Sequence, residues 1–458
     1  LKKYIAIIAT MLFVVGFAAS AFAIHAEIPA ETSAMVVRGE STVTLDGEIR
    51  FRGEIKETDF DADTGTTSAY DGRIRLSLEA KVAPNATGFV QLETSTGDDT
   101  HDTYTWGSDF SASSAGIYKQ GNTKRGDLRL LQGWINWKPT DVVGLKIGHM
   151  PLALGNKIFF NHTKFGDDAI VVYADPNKKL HVAALTIKLY EGDAAVYDDT
   201  DAYVALAVAD LGKAKVSGDI TYLTDESPKT AGLAAPLGIP AGILERVTLY
   251  NVGARADINA GPVVIWVDGN YQSGTAEDND DEGTLTDDID IAAHSIVAGV
   301  KMKAGPVNVA VDGGYGTGQD LDEDEDLNLF LTALGAHGNA PLYTYVYDYR
   351  VPGASGATQA GISNTTYVAG RVSGKAAKNI SWNAQLVWLK ATEKVVDGEG
   401  DETDEIGTEV DGKITFQLAK GLKYWIEGGY LAAGEVYEDA NGDVDPAYAV
   451  RNGIALDF

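Results

Sequence analysis

The sequence predicts an all-β chain, a transmembrane antiparallel up-and-down β-barrel of eighteen strands, with sixteen as the alternative count. Three observations carry that prediction. Apolar and polar residues alternate with period 2 over most of the chain, connections between the alternating runs switch between tight and long, and the last run is an apolar alternating strand closing on Phe458. A helix needs apolar residues at i, i+3, i+4 and i+7, which these runs lack.

In chain order, Lys2 and Lys3 precede an apolar run from Tyr4 to Ala19, and Ala21-Phe22-Ala23 gives the small-x-small pattern of a cleavage site. Residues 1–23 are therefore expected to be a signal peptide, and 24–41 a short periplasmic N-terminal segment. The barrel is expected over 42–458. Its first run places Val43, Leu45, Ile49, Phe51 and Ile55 on one face and Glu48, Arg50, Arg52, Glu54 and Lys56 on the other. The second places Ile74, Leu76, Leu78 and Val82 opposite Arg73, Arg75, Ser77, Glu79 and Lys81.

Similar runs fall at 87–97, 127–139, 142–150, 168–174, 180–190, 201–210, 214–224 and 244–259. They continue at 262–275, 287–304, 306–317, 363–376, 380–392, 404–419, 423–437 and 447–458. After even-numbered runs the links are tight and made of turn residues, such as Ala83-Pro84-Asn85, Ala260-Gly261-Pro262 and Ala304-Gly305-Pro306. After odd-numbered runs they are long and polar, as at 98–126 and 318–362. Short turns on one rim and long loops on the other are the mark of an outer-membrane barrel. The segments 260–271 and 304–315 are near copies, read as two solutions of one tight-turn problem.

Composition removes other classes. With no cysteine there is no disulfide framework, thiolate metal site or Cys nucleophile, and a net charge of −29 opposes nucleic-acid binding. No HExxH, GxSxG or Walker loop is present, so neither enzymatic activity nor a cofactor is expected.

The final run puts Tyr448, Val450, Ile454, Leu456 and Phe458 on one parity. It resembles the signal, here carried by Tyr448, Leu456 and Phe458, by which bacterial barrels are recognised for assembly. The whole mature chain resembles a bacterial outer-membrane porin. The stretches Ile24–Thr32, Leu45–Glu54, Ile147–Asn156 and Lys164–Asp168 are similar to OmpJ-type porins of metal-reducing bacteria. The resemblance implies a passive channel for ions and small hydrophilic solutes. A structural barrel anchoring surface electron-transfer proteins, or a substrate-specific channel, stands as the alternative. The partners implied are outer-membrane lipid and lipopolysaccharide, the barrel assembly machinery, small solutes and ions, and a homotrimer as one compatible assembly.

Eighteen strands enclose a lumen too wide for side chains to fill. The link at 151–168, the third long one, is expected to fold inward on Leu152, Leu154, Ile158, Phe159 and Phe160 and to present Lys157, His162, Lys164, Asp167 and Asp168 at a constriction. Facing it, Arg50, Arg52, Arg73 and Arg75 with Glu48, Glu54 and Glu79 are expected to line the pore, setting a transverse field or pairing as salt bridges. Acidic runs at 277–290, 320–326 and 397–405 belong to long loops and tilt ion preference slightly toward cations. Asp278 to Ile289 starts like a calcium loop but lacks the acidic twelfth position. N-terminal sequencing of the exported chain should begin at Ile24; a start at Leu1 would refute the cleavage reading.

Overall fold

The computed structural model describes residues 34–38, 41–60, 65–95, 104–105, 127–192, 199–226, 244–278, 288–320, 326–334, 344–347 and 361–458. The expected signal peptide lies outside them. Eighteen strands form the wall: β1 (Ser41–Glu57), β2 (Thr67–Ala83), β3 (Ala86–Ser95), β4 (Asp127–Trp137), β5 (Val143–Ala153) and β6 (Phe160–Asn177). Next come β7 (Leu180–Tyr190), β8 (Thr200–Asp210), β9 (Ala214–Asp225), β10 (Leu244–Ala260), β11 (Val263–Asp278) and β12 (Ile289–Ala304). The ring is completed by β13 (Val307–Gly316), β14 (Thr365–Ala377), β15 (Ile380–Ala391), β16 (Gly407–Ala419), β17 (Leu422–Ala433) and β18 (Ala447–Asp457).

Each strand pairs antiparallel with the next, and β18 returns to β1 from Glu48↔Asp457 to Glu57↔Tyr448. The seam is extended by Gly47 and Phe458, whose N–H groups donate to each other's carbonyls at 2.8 and 3.0 Å. Below that point β1 has outrun β18, and residues 34–38 cover its free edge, from Ala34↔Leu45 to Arg38↔Ser41. An uncovered edge would leave a row of unpaired backbone groups.

The alternation read in the sequence is the alternation between outside and lumen. Along β12, Ala292, His294, Ile296, Ala298 and Val300 face out, whereas Ile291, Ala293, Ser295 and Val297 are buried inside. Outward Leu76, Ile135, Val172, Ile220, Val252, Val311, Val368, Leu386 and Val410 form an exposed apolar belt around the ring. An apolar belt of this kind is stable against hydrocarbon, not against water. Tyrosines edge the belt: Tyr203, Tyr222 and Tyr250 are cross-strand neighbours with ring centroids 6.2 and 5.0 Å apart.

The eight links after even-numbered strands are all tight. Both Ala-Gly-Pro turns depend on a left-handed glycine, Gly261 at φ 71° and Gly305 at φ 62°, a region L-residues seldom adopt. The boundaries differ from the periodicity reading at one place that matters. β5 runs on to Ala153 and β6 begins at Phe160, so 151–168 is a hairpin with its tip at 154–159, not a long loop. The expected strand at 168–174 is only the later half of β6, because Phe160–Asp167 carries polar residues at positions where the alternation breaks. Likewise β17 ends at Ala433, and a short 3₁₀ turn covers Glu435–Tyr437.

Inside the ring, toward the long-loop rim, lies a buried apolar core. Ile158, Phe159 and Phe160 of the hairpin, Leu329, Phe330 and Leu331, and Val346 pack on Ile187, Leu249, Ile291, Val387 and Leu389 of the wall. Burying each such side chain contributes roughly 1.5–3 kcal/mol. The inward segments are therefore packed against one side of the wall on its long-loop half. Replacing outward Val300 with Arg should cost about 2–4 kcal/mol in denaturant titrations in lipid vesicles. Ser373→Arg, on the lumenal face, should cost under about 1 kcal/mol.

Candidate lumenal constriction

The inward turn of the hairpin begins at a bulge. Met150 pairs with Asp167, but the next partners are Leu152 and His162, so residues 163–166 have no counterpart on β5. An insertion of this size bends the strand that carries it. Gly166 sits at φ 82°, where an added Cβ would meet the Met150 carbonyl oxygen at 2.8 Å. The bulge is closed from both sides: His162 Nδ1 lies 2.7 Å from Asp167 Oδ1, and His149 Nε2 lies 2.8 Å from the Phe165 carbonyl oxygen. The His162 ring also stacks on Phe160 at 4.5 Å.

Beyond the bulge the tip reaches the wall formed by β9 to β11. The Asn156 N–H donates to Asp268 Oδ2 at 2.9 Å. Arg255 stands 3.7 Å from the same carboxylate and donates from Nε to Ser217 Oγ at 2.8 Å. Lys157 occupies the tip at φ 69° and donates to Thr163 Oγ1 at 3.3 Å.

Two further segments fold in beside it, both from the link between β13 and β14. Ala333 and Leu334 pair parallel with Phe160 and Asn161, and Gln272 grips Leu331 by accepting its N–H at 2.9 Å and donating to its carbonyl at 2.7 Å. Residues 344–347 are docked on β16, where Glu409 accepts the N–H groups of Val346 and Tyr347 and Asp411 accepts that of Tyr345.

The charged wall faces these segments. Arg73 contacts Glu48 at 2.6 Å and Glu93 at 3.9 Å, and Arg75 pairs with Glu93 as well. Arg52 and Arg50 approach Asp71 at 2.9 and 4.0 Å. The row crosses the seam to Arg451, which meets Glu54 at 2.6 Å and Glu427 at 3.8 Å, and ends at Lys413, 2.7 Å from Glu427. Arg73 and Arg451 each sit between carboxylates of two neighbouring strands, and Arg50, Arg52 and Arg75 pair with a carboxylate on one. On the adjoining wall a cavity of about 500 Å³ is lined by Lys301, Asn308, Arg371, Asn383, Lys413 and Tyr345.

Of the expected pore-lining residues, Glu48, Arg50, Arg52, Glu54, Arg73 and Arg75 lie in this network, and Glu79 lies lower, 3.0 Å from Lys81. Of the expected constriction residues, Lys157, His162 and Asp167 belong to the inward hairpin and its bulge. Lys164 lies in the bulge with its ammonium 4.7 Å from the Phe165 ring. Asp168 is a correction: its side chain is 73% exposed on the outer face, paired with outward His149 at 3.1 Å. The bulge shifts parity between the hairpin and the rest of β6. Tyr448 and Leu456 face outward, and the Tyr448 hydroxyl donates to Glu57 at 3.2 Å. Missed altogether were Asp71, Glu93, Arg451 and Glu427, which parity alone would have found, and Asp268, Gln272, Glu409 and Asp411, whose partners lie far along the chain.

At the long-loop rim the acidic run 397–405 forms a small hairpin, Val395–Val396 with Glu402–Thr403, against the 434–446 link. Burial and the neighbouring Glu435, Asp397, Glu399 and Asp401 push the Glu438 carboxyl up, whereas hydrogen bonds from Asn441 and Asp443 pull Asp439 down. Among the described residues no group of three His, Cys, Asp or Glu is placed to hold a metal ion. Most of the runs at 277–290 and 320–326 lies outside the described residues.

A closed eighteen-stranded wall, apolar outside and carrying ion pairs inside, with segments folded against its inner face, defines a transmembrane β-barrel. Solved outer-membrane proteins share this fold. The BenF-like porin of Pseudomonas fluorescens Pf-5 matches with a TM-score of 0.56 at 8% identity, over 91% of this chain and 99% of that one. Pseudomonas aeruginosa OccK5 (OpdH) gives 0.52 at 11%, over 90% and 98%. OccK2 (OpdF) of the same species, in complex with glucuronate, gives 0.54 at 8%, over 90% and 98%. No protein-family model and no curated protein matches the sequence.

The docked tip yields a test. Asp268→Ala should remove about 1–3 kcal/mol of docking. Backbone amides at 155–157 should then exchange faster in hydrogen-exchange mass spectrometry, while the amides of β10 and β11 stay protected.

Proposed function

We propose that this chain is a bacterial outer-membrane porin, a passive channel for ions and small hydrophilic solutes. The observation that carries the reading is a charged row on the inner face of the closed barrel, Lys413–Glu427–Arg451–Glu54 and Glu48–Arg73–Glu93–Arg75, beside three inward-folded segments. Polar lining gives hydrated solutes a path, and the packed core on the other side limits its width. The narrower likeness to OmpJ-type porins rests on the short stretches noted above, of which 147–156 and 164–168 form the inward hairpin and its bulge.

The lumen favours small carboxylates over cations. Lys301, Arg371 and Lys413 line one cavity with the amides of Asn308 and Asn383 and the carboxyls of Asp411 and Glu427, three cationic side chains against two acidic ones, a surface that can donate to anionic oxygens. Neighbours of the same fold were solved with glucuronate and with vanillate, both carboxylates. Exposed acidic loops at the mouth are screened within about 8 Å at physiological salt, so the lumen dominates. This reverses the cation preference that net charge alone suggests.

Single-channel recording of the purified chain in a planar bilayer under a salt gradient tests both claims. Steady steps with an anion-selective reversal potential are expected, and Arg371→Gln with Lys413→Gln should move that potential toward cations. A folded barrel without steps would promote an anchoring role; cation-selective steps would leave the porin and remove the carboxylate preference.

A further inference from the structure

Two acidic side chains of the wall hold one of the inward segments in place. Glu409 and Asp411 share the lumenal face of β16, and Glu409 is fully buried. Glu409 Oε1 accepts the Val346 N–H at 2.6 Å and Oε2 accepts the Tyr347 N–H at 2.9 Å. Asp411 Oδ2 accepts the Tyr345 N–H at 3.1 Å and a hydrogen from Gln385 Nε2 at 2.6 Å. Three consecutive N–H groups of a segment outside the ladder thus receive their acceptors from two side chains one strand repeat apart. Buried N–H groups need acceptors, and these carboxyl oxygens supply them.

What this docking places beside the cavity is Tyr345, whose side chain is itself buried. Its ring lies 6.0 Å from the Arg451 guanidinium and lines the cavity shared with Arg371, Asn383 and Lys413. The wall beneath is cut to fit: a Cβ at Gly429 would lie 3.1 Å from Tyr345 Cβ, 3.0 Å from Val346 Cγ2 and 2.2 Å from Asp411 Oδ1.

We propose that Glu409 and Asp411 are positioning residues that hold 344–347 against β16 and so fix Tyr345 as the side chain that sets the aperture beside Arg451. The role of Tyr345 rests on the channel reading; the docking of the segment does not, and the two are tested apart.

For docking, the absence of native cysteine allows a single Val346→Cys probe in the full-length folded barrel. Its thiol should resist maleimide in the otherwise native chain and react at least about tenfold faster with Glu409→Gln and Asp411→Asn added, because buried thiols are shielded from reagent. Equal rates in the two backgrounds would overturn the docking role. For the aperture, Tyr345→Ala should raise single-channel conductance roughly 1.5-fold, since conduction follows the narrowest lining. The Glu409→Gln/Asp411→Asn pair should raise it similarly, with added current noise, and Tyr345→Ala should then add nothing more. Unchanged conductance in Tyr345→Ala, or fully additive effects, would overturn the aperture role. β-type circular dichroism and the gel mobility of the folded barrel confirm in each case that the wall has formed. A wild-type chain that does not conduct removes the channel reading and the aperture role with it, while the thiol assay still decides the docking.

Discussion

The backbone of this protein has to pair with itself. Its outer face is apolar from the Tyr203–Tyr222–Tyr250 edge to the tight turns, and a hydrocarbon surrounding offers no partner for an N–H or a carbonyl. Closure follows: β18 must return to β1, Phe458 must reach Gly47, and residues 34–38 must cover what β18 leaves open. The period-2 sequence is the side-chain consequence of the same closure, since a wall one strand thick has only two faces.

The same demand explains how the lumen is narrowed. A segment that leaves the ladder and folds inward carries backbone groups into a buried space, and each of the three inward segments is met by wall side chains. Asp268 takes the Asn156 N–H, Gln272 takes both polar groups of Leu331, and Glu409 with Asp411 takes three N–H groups from 345–347. Apolar contacts such as Phe160 and Phe330 supply the burial, and these polar contacts fix where each segment rests. A wall side chain in this barrel thus serves as lipid contact, core contact, backbone acceptor or pore lining according to face and height.

Charge is arranged with similar economy. The arginines of β1 and β2 pair with carboxylates on neighbouring strands, which lowers the cost of gathering several guanidiniums on one wall. The cavity at Lys301, Arg371 and Lys413 adjoins the same charged row, to which Lys413 and Glu427 both belong.

The barrel was legible in the sequence because its causes are local. Alternation in Thr42–Lys56, turn residues such as Ala260-Gly261-Pro262, and the rhythm of short and long links depend only on residues a few positions apart. Eighteen strands, with sixteen as the alternative, followed from that, and the ring closes with eighteen. The tertiary structure alone decided the rest. A four-residue bulge at 163–166 turned Asp168 outward while Asp167 stayed inside, and no period-2 count survives an insertion of that kind. The acceptors Asp268, Gln272, Glu409 and Asp411 read as ordinary lumenal polar residues until the closed ring brings Asn156, Leu331 and Tyr345 to them across 59 to 112 residues of chain. Local pattern determined the wall, because a strand's faces are set by its own residues; contact across the lumen determined the constriction, because such contacts exist only once the ring has closed.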